Sequence, residues 1–200
     1  MKFIGFIFFF CVVCGILHAE EGIVLSDEYV QELNRLTNPS NYSVDVYNGK
    51  LYIPISFEHK SDGFWYDENG KKIMDPVINF AGKYFISDPG CNGLCEVSRI
   101  YDMTSGKELS GLLDMFDNKK PLPRTHDGWE YTSRKQHRAD SRLLVVQYWL
   151  SKSVPQGSGK YKTIYGCRER SFIMENEKIK PISKTRPYCS NEYKDVWLAE

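Results

Sequence analysis

Two histidines and an aspartate lie close together in one polar stretch of the chain. His126 and Asp127 are adjacent, and His137 follows in the same stretch, which runs from residue 117 to residue 140. A hydrolase needs a nucleophile, a general base and an acid that orients the base, and imidazole and carboxylate groups supply the last two. A hydrolase that uses His126, Asp127 and His137 is therefore one hypothesis, although no Gly-x-Ser-x-Gly elbow or His-Glu-x-x-His metal pair accompanies them.

The same polar stretch also contains residues of the kinds that anchor protein interfaces. Arginine and aromatic side chains bury a large area while they keep a polar group, and a connection of this length is typical of functional loops. The candidate binding residues are Arg124, His126, Trp129, Tyr131, Arg134 and Arg138. An ordinary solvated loop with one aromatic side chain folded onto the domain is the alternative interpretation.

Four cysteines lie in the chain after the first 20 residues. They are Cys91, Cys95, Cys167 and Cys189. None of them shows the two-residue spacing of a zinc knuckle, and an even number in an exported chain is typical of disulfides, so we expect two disulfides and no metal site. Two arrangements fit the sequence: Cys91 pairs with Cys95 and Cys167 with Cys189, or the pairings cross and tie the first half of the chain to the C-terminal segment.

Residues 157–160 read Gly-Ser-Gly-Lys, which resembles part of a nucleotide-binding phosphate loop. Val154 stands at the position of the first glycine of that motif, and Tyr161 stands where Ser or Thr would follow the lysine. We therefore expect no nucleotide and no other cofactor. Pro155 and the neighbouring glycines predict an ordinary flexible loop over residues 152–160.

The first 19 residues predict export. Lys2 precedes an apolar run from Phe3 to Leu17, and Ala19 provides a small residue at the cleavage position. This pattern is typical of a secretory signal peptide, and the run is shorter than the roughly 20 residues of a membrane span. The sequence thus predicts a signal peptide at 1–19, a single β-rich domain at 20–200, a periplasmic location and no membrane span after cleavage.

Positive and negative charges balance in this chain. It has 26 lysines and arginines and 26 aspartates and glutamates. A general binder of nucleic acid or of anionic membranes carries an excess of one sign of charge over a whole face. We therefore expect the partner to be a protein and not a nucleic acid.

Helical spacing is confined to the segment that follows the predicted signal peptide. Ser26 can cap a helix whose apolar face includes Leu33 and Leu36, and Asn38-Pro39 ends it. From residue 42 onward the apolar period changes to two, which is typical of strands. Asn48-Gly49 lies between two alternating runs and predicts a hairpin over residues 44–55.

Three further turns repeat the same device. Tyr66-Asp67 precedes an Asn-Gly-Lys turn, Tyr101-Asp102 precedes a Ser-Gly-Lys turn, and Asn176-Glu177 connects two more apolar runs. Two more strands are predicted over 83–86 and 142–150, and the apolar character of the second indicates a central strand. The pattern predicts a mainly β, antiparallel meander of hairpins, propeller-like or sandwich-like, with one N-terminal helix and two disulfides.

Three segments within residues 88–175 resemble a family. They are Cys91-Asn-Gly-Leu-Cys95, Asp102-Met-Thr-Ser-Gly106-Lys107 and Arg138-Ala-Asp-Ser141-Arg-Leu-Leu144-Val-Val. In these the chain resembles small bacterial periplasmic β-rich proteins with a cysteine pair, an Asp-x-x-Thr-Gly-Lys turn and a Ser-Arg-Leu-Leu strand, although its turn has one extra residue. The resemblance implies a bacterial envelope origin and a β-rich fold, and it implies no activity and no catalytic residue.

Together these patterns predict an exported binding or inhibitory protein whose partner is another envelope protein, for example an envelope-targeting toxin or hydrolase that it neutralises. Two alternatives remain from the sequence. The chain could be an envelope hydrolase that uses the His126/Asp127/His137 region, or a structural subunit of an envelope assembly.

Overall fold

The described part of the chain contains one helix and ten strands of very different lengths. The computed structural model describes residues 27–87, 98–109, 125 and 127–190. The helix is α1 (Asp27–Thr37), and a 3-10 turn follows at Pro39–Tyr42. The strands are β1 (Glu58–His59), β2 (Trp65–Tyr66), β3 (Lys72–Ile73), β4 (Tyr84–Ser87), β5 (Arg99–Asp102), β6 (Lys107–Glu108), β7 (Glu130–His137), β8 (Leu143–Gly157), β9 (Lys160–Glu175) and β10 (Lys178–Pro181). The prediction of a mainly β chain with one N-terminal helix is confirmed.

Helix α1 ends where the sequence predicts. The Asn38 amide closes the last helical turn on the Asn34 carbonyl, and the Asn38 side chain then accepts a hydrogen bond from the Ser40 amide. Proline at the next position fits the first turn of a new helix but not the continuation of the old one. Leu36 is buried and Leu33 is half-buried, so the predicted apolar face contacts the rest of the protein.

The strands form three antiparallel sheets, each of them a meander in chain order. Their orders are β1-β2-β3, β4-β5-β6 and β10-β9-β8-β7, and they do not close into a barrel. The three repeated turns are confirmed, because they join β2 to β3, β5 to β6 and β9 to β10. The recurring aspartate has a local function there. Both the Asn69 and Lys71 amides donate to Asp67 Oδ1 at 2.9 Å, and the Thr104 amide donates to Asp102 Oδ1 at 2.8 Å.

Two apolar clusters lie on opposite faces of the β4-β5-β6 sheet. The main core lies between this sheet and the four-stranded sheet, and the second core lies between it and the segments around β1-β2-β3. The main core contains Phe80, Tyr84, Ile86, Ile100, Leu109, Tyr131, Leu144, Val146, Tyr148, Leu150, Phe172 and Met174, and the second contains Phe57, Ile73, Phe85, Tyr101 and Met103. The sheet in the middle is therefore covered on both of its faces.

The predicted hairpin over residues 44–55 is wrong. This segment is extended, but its two halves bond to different parts of the fold and not to each other. The Tyr47 amide donates to the Gly82 carbonyl at 2.8 Å, and the Tyr52 amide donates to the Met103 carbonyl at 2.8 Å. Backbone partners supplied by the rest of the fold thus override the local turn preference of Asn48-Gly49.

The predicted flexible loop over residues 152–160 is also wrong, because β8 and β9 continue through it to a tight turn at Ser158 and Gly159. Among the described residues β7 pairs with β8 only as far as Ser151, so β8 has an open edge at Pro155, and proline is tolerated at such edges. The register also shifts between Pro155 and Gly157, as at a β-bulge.

One of the predicted disulfides lies in the described residues. Cys167 and Cys189 are bonded, with 5.7 Å between their Cα atoms, so pairings that cross between the first and last cysteines are excluded for these two. Cys91 and Cys95 lie outside the described residues. The Cys167–Cys189 bond attaches the chain after β10 to β9.

A buried polar network lies on the outer face of the four-stranded sheet, the face that points away from the main core. Glu169 is fully buried and accepts hydrogen bonds from Gln147 at 2.7 Å and Arg186 at 2.6 Å. The amide and hydroxyl of Ser190 donate to the same carboxylate at 3.0 and 2.8 Å, and Arg186 also donates to the Ser171 hydroxyl at 3.0 Å. This network fixes the C-terminal segment across β8 and β9.

We expect Glu169→Gln to destabilise the fold strongly. The change leaves the guanidinium of Arg186 buried without its counter-charge, which costs about 3–5 kcal/mol of unfolding free energy. Urea denaturation measures this. The matched control is Glu175→Gln, whose exposed pairing with Lys180 should matter little, so the midpoint should remain almost unchanged. Equal losses in the two variants would contradict a special contribution of the buried pair.

Candidate functional site

The polar stretch over residues 117–140 is only partly a connection. Residues 117–124 and His126 lie outside the described residues, but Glu130–His137 forms β7, an eight-residue strand, so the prediction of one long loop is wrong for its second half. β7 lacks the apolar alternation of a core strand, and in the part of the chain that the structure describes it is the last strand of its sheet. Charged side chains are common on such edge strands, since they discourage pairing with other chains.

A charged cluster forms at the start of β7, which we call the rim cluster: Thr125, Asp127, Trp129, Lys152 and Arg168. Arg168 makes a bidentate pair with the Asp127 carboxylate at 3.2 and 2.5 Å, and the Thr125 hydroxyl donates to it at 2.5 Å. Lys152 donates to the Asp127 carbonyl at 2.9 Å and lies 6.0 Å from the centre of the Trp129 ring. These contacts hold the turn against the middle of β8 and β9.

The electrostatics of the rim cluster fix the charge of Asp127. Hydrogen bonds from Arg168 and then Thr125 hold the pKa of the Asp127 carboxyl well below its ordinary range. The group is therefore ionised throughout the neutral and mildly acidic range. A carboxylate held this way accepts hydrogen bonds and is a poor general acid or base.

The predicted binding residues separate into different environments. Tyr131 is a core residue, 7% exposed, with its ring 5.8 Å from that of Tyr148, so little of its side chain is open to a partner, and its place in a binding site stays a prediction. Trp129 is half-buried at the edge of the main core. Arg134 and Arg138 line a cavity of about 350 Å³ near the end of α1, and Arg138 binds Asp140 at 2.9 and 2.7 Å.

An open groove lies on the outer face of the four-stranded sheet, where the sequence predicts no site. We call it the aromatic groove, and it has a volume of about 440 Å³. Its lining side chains on that face come from β7, β8 and β9, namely Glu130, Thr132, Trp149, Ser151 and Tyr165. Strand alternation explains the set, because Glu130, Ser151 and Tyr165 are neighbours in the ladder, as are Thr132 and Trp149.

The aromatic groove continues onto a projecting pair of strands, which we call the ribbon (residues 152–164). The pairing of β7 with β8 stops at Ser151, which lies opposite the first residue of β7. Beyond that point the ribbon extends from the described four-stranded sheet as two strands alone. Tyr165 at its base is 81% exposed and Tyr161 near its tip is 72% exposed, and alternation places both on the face that carries Trp149. The ribbon contains three lysines and no acidic residue.

Asp127 and His137, the two described residues of the hydrolase hypothesis, do not lie together. His137 lies at the far end of β7 from Asp127, and an eight-residue strand is about 23 Å long. The Nδ1 atom of His137 lies 2.8 Å from the Asn79 carbonyl oxygen, which fixes the ring against the loop before β4. Within the described ranges, no group of three His, Cys, Asp or Glu side chains could hold a metal ion.

Sequence reasoning missed Trp149, Tyr161 and Tyr165. Trp149 lies in an apolar run that predicts a strand covered on both faces, and the tyrosines follow the predicted loop. Tyr161 and Tyr165 do alternate with Lys162 and Ile164, and that alternation is the signal that could have identified an exposed aromatic face.

Comparison with known proteins adds no relative: no family model, no curated protein and no solved structure matches this chain.

We expect Arg168→Gln to raise the pKa of Asp127 toward the ordinary value of about 3.9. Since the folded-state pKa is depressed, the stabilisation from this pair is present at neutral pH and is lost as the pH falls through the folded-state pKa. A carboxyl-carbon NMR titration of Asp127 measures the shift.

The control is Arg170→Gln, two residues along the same strand. Arg170 donates to the Ser183 carbonyl at 3.1 Å, so its removal should leave the Asp127 titration unchanged. A titration that is unaffected by Arg168→Gln would show that the bidentate pair does not set the pKa.

Proposed function

We propose that this chain is an exported binding or inhibitory protein, and that the aromatic groove and the ribbon together form its partner surface. The observation that carries the proposal is the exposure of Tyr161 and Tyr165 on the same face as Trp149. Neither tyrosine is buried in a core, and both stand on one face of the projecting ribbon. Tyrosine and tryptophan are the side chains that most often dominate binding energy at protein interfaces.

The shape of the surface favours a protein segment as the occupant. The groove has a floor formed by strands and an indole, and the ribbon extends its aromatic face by several residues. A small molecule would occupy the groove alone, and only a longer ligand would also reach Tyr161. An extended or convex segment of a partner protein fits both parts.

The charge of the ribbon favours an acidic partner. Lys160 and Lys162 flank Tyr161, and the ribbon contains no acidic residue. Complementary charge speeds association and selects among partners more than it adds affinity. The partner that we propose is therefore an envelope protein with an acidic surface patch.

Export and the finer architecture belong to the same proposal. The signal-peptide pattern at 1–19 supports a periplasmic location, and so does the Cys167–Cys189 disulfide, because disulfides persist mainly in oxidising compartments. No helix among the described residues is long and apolar enough to cross a membrane. The two cores on opposite faces of the middle sheet support a layered, sandwich-like stacking of the three sheets.

We expect a photo-activated cross-linking amino acid at position 165 to join the folded protein to one defined partner in an envelope extract. Position 52 is the control, because Tyr52 is 46% exposed but belongs to the extended segment before β1. Mass spectrometry identifies the product. The same products from both positions would contradict a specific site at the groove.

Once the partner is identified, we expect Tyr165→Ala to weaken its binding at least about thirtyfold, the effect of losing one dominant interface side chain. Tyr52→Ala should bind like the unmodified protein. Calorimetry measures both affinities, and a partner with an acidic patch should also bind more weakly at high salt. Equal affinities for the two variants would overturn the assignment.

A further inference from the structure

We propose that a second cleft, at the seam between the middle sheet and the four-stranded sheet, binds a small zwitterion of the α-amino-acid class. This seam cleft has a volume of about 440 Å³ and is lined by residues 44–47, 81–84 and 174–176, with Thr104 and Arg142. Its size lies within the roughly 300–1,000 Å³ of small-molecule pockets. It is separate from the aromatic groove, and the proposal does not depend on the proposed function.

The walls of the seam cleft are held by backbone hydrogen bonds between different segments. The Tyr47 amide donates to the Gly82 carbonyl at 2.8 Å, and the Arg142 amide donates to the Tyr42 carbonyl at 2.8 Å. The approach at Gly82 is so close that a Cβ atom there would lie 2.5 Å from the carbonyl oxygen of Asp45. The cleft is therefore preformed, and little conformational entropy would be lost in ordering its walls when a ligand binds.

One wall contains a strained residue. Ala81 has a φ of 45°, in the left-handed region that costs a residue with a Cβ atom about 1 kcal/mol or more. Its amide donates to the Ser141 carbonyl at 3.1 Å, and the next amide, of Gly82, donates to the Ala139 carbonyl at 2.7 Å. Strained residues that the surrounding structure holds in place cluster at ligand sites, and Ala81, Gly82 and Lys83 all line the cleft.

Two of the charged side chains that line the seam cleft, Lys83 and Glu175, already have partners of opposite charge. Lys83 binds the nearly buried carboxylate of Asp102 at 2.6 Å, and the Thr104 hydroxyl donates to the same group at 2.6 Å. Burial alone would raise the pKa of Asp102, but the hydrogen bonds from Lys83 and Thr104 outweigh it and lower the pKa. On the opposite wall, Lys180 pairs with Glu175.

One positive and one negative side chain of the lining remain available. Arg142 and Asp45 both line the cleft, and among the described residues neither the guanidinium nor the carboxylate forms a hydrogen bond or an ion pair. The positive charge of Arg142 also acts on the carboxyl group of Glu175, whose pKa it helps to lower after the larger effect of the hydrogen bond from Lys180. Arg142 could receive a carboxylate through two parallel hydrogen bonds, and Asp45 could receive an ammonium group. Val44 and Met174 add apolar contacts for a hydrocarbon side chain. A molecule with all three features is an amino acid with an apolar side chain.

The test compares three ligands that differ by one group each: L-leucine, 4-methylpentanoate, which lacks the ammonium group, and 3-methylbutylamine, which lacks the carboxylate. We expect L-leucine to shift the amide resonances of Gly82 and Lys83 saturably, with a Kd below about 1 mM, and each of the other two to bind at least about tenfold more weakly. No saturable shift with L-leucine, or equal binding of 4-methylpentanoate, overturns the proposal.

Substitutions assign the two charges. In Arg142→Gln, L-leucine should bind no more tightly than 3-methylbutylamine. In Asp45→Asn, L-leucine should bind no more tightly than 4-methylpentanoate. Arg35→Gln, on the exposed face of α1, is the matched control and should change no affinity. If L-leucine binds both variants as tightly as the unmodified protein, Arg142 and Asp45 do not hold its two charged groups. If a variant does not fold, the comparison of the three ligands on the unmodified protein decides the proposal.

Discussion

The burial of both faces of the β4–β5 pair holds the described sheets together. Ile86 and Ile100 are directly opposed in its ladder and enter the main core, while the next pair, Phe85 and Tyr101, enters the second core. Each of these side chains is almost completely buried, and burying one stabilises the fold by about 1.5–3 kcal/mol. Two strands of four residues thus belong to two cores, and the sheets on either side depend on them.

The fold was predictable from the sequence where a local signal and the tertiary contacts agree. The aspartates of the repeated turns cap their own hairpins, so Asp67 and Asp102 direct the chain in the same way in isolation and in the fold. Asn48-Gly49 is an equally strong signal and failed. The strands that it would join have better partners elsewhere, at Gly82 and Met103, and those partners are distant in sequence. Local patterns contain no information about such long-range competition.

The candidate site was predictable only in part, for a related reason. The polar stretch before β8 does lead to the groove, because Glu130 and Thr132 of β7 line it. The aromatic residues that face outward come from other strands, and they become neighbours only through the register of β7, β8 and β9. Tyr131 shows the converse: its residue type suggests an interface anchor, but strand alternation in β7 places its side chain in the main core.

The length of β8 and β9 has a mechanical consequence. These strands have 15 and 16 residues, so the exposed tip and the buried core belong to the same two strands. A load on the tip is shared by both strands, because the turn at Ser158 and Gly159 joins them, and it passes along their backbones into the buried part of the ladder. In β9 it reaches Cys167, which is covalently attached to the C-terminal segment. A pull on the ribbon is therefore transmitted directly to the body of the protein.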